Sequence, residues 1–412
     1  MSIGIIVGVI PTVKNRRRGL RSVLLCGMIG RQGGRDTGYI TVRALSILIV
    51  GGGIGGLTAA IALRQRGFAV TLIEKDPASS VYGVGIIQQG NVLRAVDALG
   101  ILDRYVAAGA GFDFVEVHAP DGTRLARVPA PRLLKSYPAN LGIGRRALHK
   151  ILVDAAGEAG AAIRLGMTVE ALEDRGAEVR VRFSDGSENA FDLVVGADGI
   201  HSQIRSMVFP EARLPVFTGQ GVWRYNLVCP AGLDALHVYN GPIGAGLVPI
   251  STDLMYLYLT TPEADNPRYS RQESAAAMRN KATACGPVIR VLAQQITDNE
   301  GVVYRPLEGL LVEGHWHKGR IVLLGDAVHA TTPHLGQGAG LAIEDSLVLA
   351  EELHRHEDIE GALAAYRDRR FDRCAYIVRA SLAICRGQLG KGPLIDNAKA
   401  TAEMFALTAQ PI

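Results

Sequence analysis

An α/β fold interrupted by a second, mainly antiparallel sheet is what this 412-residue sequence predicts, and three observations predict it. The apolar run Ser46-Ile47-Leu48-Ile49-Val50 leads into the turn Gly51-Gly52-Gly53-Ile54-Gly55-Gly56 and then a helical stretch from Leu57 to Arg66, which reads as strand, tight turn, helix. A strand from Arg320 to Leu324 runs into Gly325-Asp326 and another glycine-rich turn and helix. Between the two, from about 210 to 310, segments such as Gly221 to Val228, Leu247 to Ile250 and Leu254 to Thr260 alternate as antiparallel strands do.

Composition bounds the reading. With 48% apolar and 20% charged residues and a mean hydropathy of +0.16, the chain can bury a large core and is expected to hold two domains. Its 49 glycines exceed the roughly 7% of average proteins and fall in turns between strands and helices. The formal charge of +4 misleads, because residues 1–44 carry eight basic side chains and one acid, +7, which leaves −3 for the rest. In that remainder Lys and Arg are mixed with Asp and Glu, so nucleic acid is set aside as a partner. Cys26, Cys229, Cys285, Cys374 and Cys385 lie far apart with no CxxC pair. They read as free thiols in a reducing cytoplasm, packed as small apolar residues, rather than as a disulfide framework or a zinc site.

Residues 1–44 read as a disordered extension or a start assigned too early, with the compact protein beginning near Ala44. Apolar Met1 to Ile10 precedes the cluster Arg16-Arg17-Arg18, the reverse of a secretory signal, and is too short to span a bilayer. After the first strand and helix, Phe68 to Ile73 condenses into a second strand ending in Glu74, with Lys75 next to it. Glu74 stands 18 residues after Gly56, where a carboxylate accepts both hydroxyls of an adenosine ribose and repels a 2′-phosphate. The tightly held nucleotide is therefore FAD or NAD rather than NADP, and the second glycine-rich turn, which a simple nicotinamide dehydrogenase does not need, points to FAD.

Residues 101–139 form an excursion into the second domain. Leu148 to Glu158 is a helix introduced by Gly144-Arg145-Arg146, and Glu178 to Phe183, Asp185-Gly186 and Ala190 to Val195 form a hairpin returning to the nucleotide domain. A helical piece near Ser274 to Gln294 follows the antiparallel strands, and long helices at Gly340 to Arg355 and Ile359 to Arg386 end the chain. The nucleotide domain thus comprises 45–100, 140–210 and 311–386, the substrate domain 101–139 and 211–310, and 387–412 is a C-terminal tail.

Three motifs carry the chemistry. Gly51, Gly53 and Gly56 match G-x-G-x-x-G, with Gly55 inside the same turn: the first glycine permits the turn, the second lets a pyrophosphate approach, and the third lets helix and strand pack closely. The helix N-terminus then faces the phosphates. Val194-Val195-Gly196-Ala197-Asp198-Gly199 ends a strand with an acid and a glycine, and the third motif runs from Gly325-Asp326-Ala327-Val328-His329 through Pro333-His334-Leu335-Gly336-Gln337-Gly338 to Gly340. On these motifs, in this order, residues 45 to 385 resemble the single-component, FAD-dependent aromatic hydroxylases, the group A flavoprotein monooxygenases that include para-hydroxybenzoate, salicylate and 3-hydroxybenzoate hydroxylases.

The resemblance implies a Rossmann-like FAD-binding domain of the glutathione-reductase type, an inserted antiparallel substrate domain and C-terminal helices. It implies that Asp326 accepts from a ribitol hydroxyl, that backbone N–H groups of Gly336, Gln337 and Gly338 stabilise charge on the reduced flavin, and that Pro333 walls the flavin near its oxygen-reacting carbon. Asp198 and Gly199 match the motif serving the FAD pyrophosphate and passing NAD(P)H. Arg145 matches the FAD-contacting arginine, with Arg146 beside it as the alternative. NADH or NADPH would reduce the flavin, O2 would form a flavin C4a-hydroperoxide, and an electron-rich ring would take the distal oxygen while protein excludes water. No metal is called for; His315 and His317 read as a solvated hairpin around Trp316.

For the substrate, Arg224 and Tyr225 match a strand facing the active site in relatives, and Tyr256, His237 and His334 are candidates to bind or deprotonate a phenol. The apolar stretch from Pro242 to Pro249 favours an apolar aromatic or heteroaromatic ring over a urate-like anion. A monomer or homodimer is expected. The alternatives are an epoxidase or reductase acting on an isoprenoid or lipid, and a flavin-binding sensor without turnover; a halogenase lacks its Trp-x-Trp-x-Ile-Pro motif here.

Overall fold

The computed structural model describes residues 45–412 apart from residue 242; the readings of residues 1–44, Cys26 included, lie outside the described residues. A six-stranded sheet frames the structure, in the order His317–Lys318, Ile321–Leu323, Leu193–Gly196, Ser46–Val50, Ala69–Glu74, Ala162–Leu165. Every neighbouring pair but the first is parallel. Strands of such a sheet are covered on both faces and must be apolar throughout, and Ile47, Leu48 and Ile49 have no exposed surface. The helix Ile54–Gln65 is buried from Gly56 to Leu63. Small residues make that possible: Thr58 Oγ1 lies 2.8 Å from Ser346 Oγ of the helix Gly338–Arg355, and a Cβ on Gly55 would come within 2.7 Å of Leu324 Cδ2.

The expected hairpin divides in two. Val179–Phe183 pairs antiparallel with Glu188–Phe191, whereas Leu193–Gly196 joins the parallel sheet. Asp192 marks the break, its carboxylate accepting from Ser46 N–H (2.8 Å) and Ser46 Oγ–H (2.9 Å).

A seven-stranded sheet runs Val303–Gly309, Val216–Val228, Leu254–Pro262, Gly244–Pro249, Leu236–Tyr239, Phe114–His118, Arg124–Pro129. Segments from 101–139 and 211–310 therefore share one sheet, antiparallel except where Leu236–Tyr239 meets Phe114–His118. Side chains alternate between its faces, and register sorts them into rows. Arg224, Tyr258, Gly246, Val238 and Val117 stand on one face; Tyr225, Leu257, Leu247, His237 and Glu116 stand on the other. The second face carries its own core, in which Trp223, Leu257 and Leu259 pack with Met278 and Ile289. Those two come from Ser274–Ala282 and Pro287–Ala293, a helical piece split where Gly286 presses on the backbone; a Cβ there would meet Pro120 O at 1.7 Å.

The closing helices are Gly338–Arg355 and Ile359–Gln388. Residues 387–412, read as a tail, carry a further helix, Asn397–Ala409, capped by Asp396 and burying Ala400, Met404 and Phe405. Among the described residues no helix is long and apolar enough to cross a membrane.

Candidate functional site

The site begins where Ser46–Val50 ends. Gly51 takes φ +112°, and a Cβ on it would lie 2.4 Å from Ala197 O, so only glycine fits the turn. Gly56 is blocked as firmly, its Cβ position being 1.9 Å from Gly51 O. Gly53 is the opposite case: it is exposed, with nothing within 4 Å of its Cβ position. It is the N-cap of Ile54–Gln65 and offers no side-chain cap, so the first-turn N–H groups remain free for an anion.

Glu74 closes this end. Its Oε2 accepts from Gly52 N–H at 2.7 Å and its Oε1 from Asp76 N–H at 2.9 Å. It lines a cleft of about 480 Å³ together with Gly52, Ser79, Arg146, His149 and Lys150. His149 Nε2 lies 3.3 Å from Gly52 O and 3.4 Å from Ser79 Oγ. Sequence reasoning missed His149, although it sits one turn into the helix behind Arg145-Arg146. Lys75 is exposed and does not line the cleft.

Asp198 caps rather than faces the cleft. Its carboxylate accepts from Ser202 Oγ–H, Gln203 N–H (2.7 Å) and Ile204 N–H (3.0 Å), which leaves Gly199, at φ +82°, as the open part of that motif.

At the centre, Gly325 (φ +65°) turns the chain into Asp326, whose side chain is accessible from a recess walled by protein. Burial raises the Asp326 carboxyl above the ordinary range against the pull of His329 and Arg145. The Arg145 guanidinium is pulled down by burial, with the charges of Tyr256 and Asp326 opposing. Arg224 is lowered further, to about 10, by burial and then by Arg145, with Tyr256 and Tyr258 opposing. Burial raises both tyrosines, so they stay protonated at neutral pH. Neither guanidinium hydrogen-bonds or pairs with an acid among the described residues. A recessed, unpaired cation costs several kcal/mol unless an anion reaches it. Tyr225 corrects the sequence reading: one residue on in an extended strand, it turns to the other face, where its hydroxyl lies 3.4 Å from Asp298 N. His237 also stands on that outer face, beside Glu116.

A second cavity adjoins this centre, lined by Val117, Val238, Tyr258, Pro333, His334, Leu335, Ile384 and Gln388. His334 Nε2 lies 3.1 Å from Gln388 Oε1 and its Nδ1 2.9 Å from Thr332 Oγ1. Gln388 Oε1 also accepts from Gln220 Nε2 at 2.9 Å, so His334 donates at Nε2 and accepts at Nδ1. Burial lowers its pKa to about 4, and His334 is a neutral hydrogen-bonding group at pH 7. Gln388, missed in the sequence, arrives from the far end of Ile359–Gln388.

The loop between cavity and centre is ordered from within. Gly336 is left-handed at φ +66°, and Gln337, 1% exposed, exchanges hydrogen bonds of 3.1 Å with Asn91 in both directions. Its side chain faces the core, so only its backbone is available to a ligand. Behind the loop, Asp345 Oδ2 accepts from Gly325 N–H (3.1 Å) and lies 2.6 Å from His329 Nε2, while its Oδ1 accepts from Arg370 Nε (2.8 Å). Arg370 in turn pairs with Glu344 at 2.8 Å, and all four side chains are fully buried. Apart from His329 no motif announces this network; its members are separated along three helices.

A protein family described as "FAD binding domain" matches residues 44–381. A putative FAD-dependent monooxygenase of Bacillus subtilis, YetM, is 34% identical over 351 residues, which are 84% of this chain and 95% of that one. The 2-heptyl-3-hydroxy-4(1H)-quinolone synthase of Pseudomonas aeruginosa is 34% identical over 316 residues, 74% of this chain and 80% of its own. In fold, the chain is similar to Klebsiella pneumoniae HpxO, solved with FAD and uric acid, at a TM-score of 0.76 and 24% identity over 89% of this chain and 92% of the other.

Proposed function

Because this chain belongs to the FAD-binding-domain family of flavoprotein monooxygenases, we propose that its two recessed arginines mark the junction of cofactor and substrate, with Arg145 serving FAD and Arg224 the substrate. The protein is an FAD-dependent monooxygenase that uses NAD(P)H and O2 to hydroxylate an aromatic or heteroaromatic small molecule. The observation that carries the assignment of residues is that Arg145 and Arg224, each within reach of the other's charge and of Tyr256, form no ion pair among the described residues.

FAD, when bound, supplies the redox and oxygen chemistry. The residues present fit it, since Gly53 leaves open space at the uncapped N-terminus of Ile54–Gln65 while the tight turn at Gly51 and Gly56 holds that helix against its strand. Gly51, Gly53, Gly55 and Gly56 would let the pyrophosphate onto the helix N-terminus, and Glu74 would accept from the adenosine ribose. Gly199 would lie along the pyrophosphate, with Asp198 positioning it. Arg145 and Asp326, at the Gly325 turn, would hold the ribitol chain, and the backbone of Gly336, Gln337 and Gly338 would meet the flavin's pyrimidine edge. Pro333 would wall the ring system. Arg224 would attract a ring oxygen bearing negative charge, with protonated Tyr256 as a donor, and neutral His334 would hydrogen-bond without adding charge. A heteroaromatic ring that carries such an oxygen and an apolar substituent is the favoured substrate, a reading that the quinolone relative supports. The scattered cysteines, of which four are described as free, suit a reducing cytoplasm.

The test is NADH and NADPH oxidation against phenolic acids and hydroxylated heteroaromatics, with peroxide and oxygenated product quantified together. Oxidation stimulated by a compound that is itself hydroxylated is the expected result; no stimulation across the panel, with turnover only on an isoprenoid, would overturn the reading. Arg224→Ala is expected to keep FAD and to raise KM for that compound by roughly 10–100-fold, the loss of a charged hydrogen bond. Glu74→Gln is expected to weaken FAD by roughly tenfold or more, read by titrating apoprotein with FAD.

A further inference from the structure

The outer face of the seven-stranded sheet, away from the cavity, carries a cluster that the monooxygenase reaction does not use. Phe114–His118 and Leu236–Tyr239 run parallel with His237 opposite Glu116, and alternation brings His118 to the same face. Glu116 Oε2 lies 3.3 Å from His118 Nε2 and 3.5 Å from His237 Nε2, and the three atoms fall within 4.8 Å of one another. We propose that Glu116, His118 and His237 form a binding site for a divalent cation of the zinc class, pinning these two strands together.

The distances carry the argument. Bonds of about 2.0–2.2 Å to a tetrahedral cation place neighbouring ligand atoms roughly 3.4 Å apart, which is the spacing of Glu116 Oε2 from each imidazole and longer than an ordinary hydrogen bond. His118, 7% exposed, has no hydrogen-bond partner at Nε2 among the described residues. Its Nδ1 lies 3.2 Å from Gly122 O. A carbonyl only accepts, so Nδ1 carries the hydrogen and the Nε2 lone pair points into the cluster, the arrangement in which metal-bound histidines are held by an outer partner. Tyr239 stacks on the other side of the ring at 4.8 Å between centroids. Glu116 is oriented in the same way: Arg124, at 3.1 Å, and Arg127 both bind Oε1, leaving Oε2 to the two imidazoles.

Charge and access also fit. Arg127 is shared with Asp234 at 3.1 Å, so two acids offset two arginines before a cation enters. His237 reaches the cluster from the neighbouring strand, its ring centroid 4.9 Å from that of His118. Its side chain is 20% exposed, which provides an entry path and a fourth position for water. The cation would be structural, since Val117 and Val238 on the same strands turn toward the cavity instead.

Cobalt(II) is the probe: its visible bands at a tetrahedral site are read beyond the flavin absorption in tag-free, FAD-loaded protein, with competition by zinc. One equivalent should bind with a tetrahedral spectrum and raise the unfolding temperature. His237→Ala should weaken binding by more than the roughly 10–100-fold that loss of an outer partner costs, whereas His315→Ala, an exposed histidine elsewhere, should bind as wild type. Absence of a tetrahedral spectrum in the wild-type protein, or equal affinity in His237→Ala, would overturn the site and leave a histidine–carboxylate ion pair. The wild-type spectrum decides the matter even if the variant does not fold.

Discussion

Gly56→Ala is expected to give a colourless protein. The added Cβ would stand 1.9 Å from Gly51 O and 3.4 Å from Ile49 Cγ2, contacts that require backbone to move. Gly51 cannot yield, because its own φ is +112°, its N–H is bonded to Ile73 O at 2.8 Å, and its Cβ position is closed by Ala197 O. The helix Ile54–Gln65 must therefore lift from the strand it follows. Overpacking of this kind costs about 1–3 kcal/mol in a core, and here the strain falls on the cradle, so FAD affinity should drop by roughly 100-fold or more, measured as flavin retained per protein and by titration of apoprotein. Gly53→Ala is the control that separates fit from folding. Nothing lies within 4 Å of its Cβ position, so apoprotein stability should be unchanged while FAD binding weakens, because the methyl group occupies the path of the pyrophosphate. A Gly56→Ala protein that purifies fully yellow would refute the cradle.

Arg370→Met should be the most destabilising single change away from the cofactor. The guanidinium lies between Asp345 and Glu344, at 2.8 Å from each, with no exposed surface. Removing it takes a cation from two buried carboxylates, leaving Asp345 to His329 and Gly325 N–H and Glu344 to Arg373 and Asn91, and breaking a buried pair from one side costs about 3–5 kcal/mol. That corresponds to a fall of roughly 5–10 °C in the unfolding temperature of the apoprotein. Because Asp345 also holds Gly325 N–H, the remaining FAD should bind less tightly as well. Burial pushes the Asp345 carboxyl up, but His329 and Arg370 outweigh it and hold the group at about 2. The unfolded value is about 3.9, so the stabilisation is complete above that pH and is lost as pH falls toward 2. The wild-type unfolding temperature should therefore drop between about pH 4 and 2, and Arg370→Met should flatten that part of the curve. An unchanged acid limb would remove Asp345 from the account.

Much of the nucleotide half was readable because its signals are local. The glycines at 51, 53 and 56, the acid at the end of the next strand and the turn at Gly325-Asp326 each act within a few residues of where they stand, and their chemistry follows from backbone sterics. Strand limits moved by only a few residues, as with Gly221 to Val228, which extends to Val216–Val228. Side-chain direction was less accessible. A strand alternates with period two, so a slip of one residue exchanges its faces; Arg224 and Tyr225 part on that ground, and the irregular register between Phe217 and Gly221 hides the phase from a sequence reading.

What the sequence by itself determined about this protein is therefore its class of fold and its cofactor, which rest on contiguous motifs, and, through the family resemblance those motifs carry, its reaction type. Only the tertiary structure decided which charges stand alone and which are paired. Arg370 reaches Asp345 and Glu344 across two helices, His149 comes back to Gly52, Gln388 returns to His334, and Glu116 and His118 meet His237. Arg145 and Arg224 come within reach of each other's charge, and neither is in an ion pair among the described residues. The physical reason is burial: a charged side chain taken from water must find a partner or a ligand, and whether it does depends on distances between segments that no local pattern specifies.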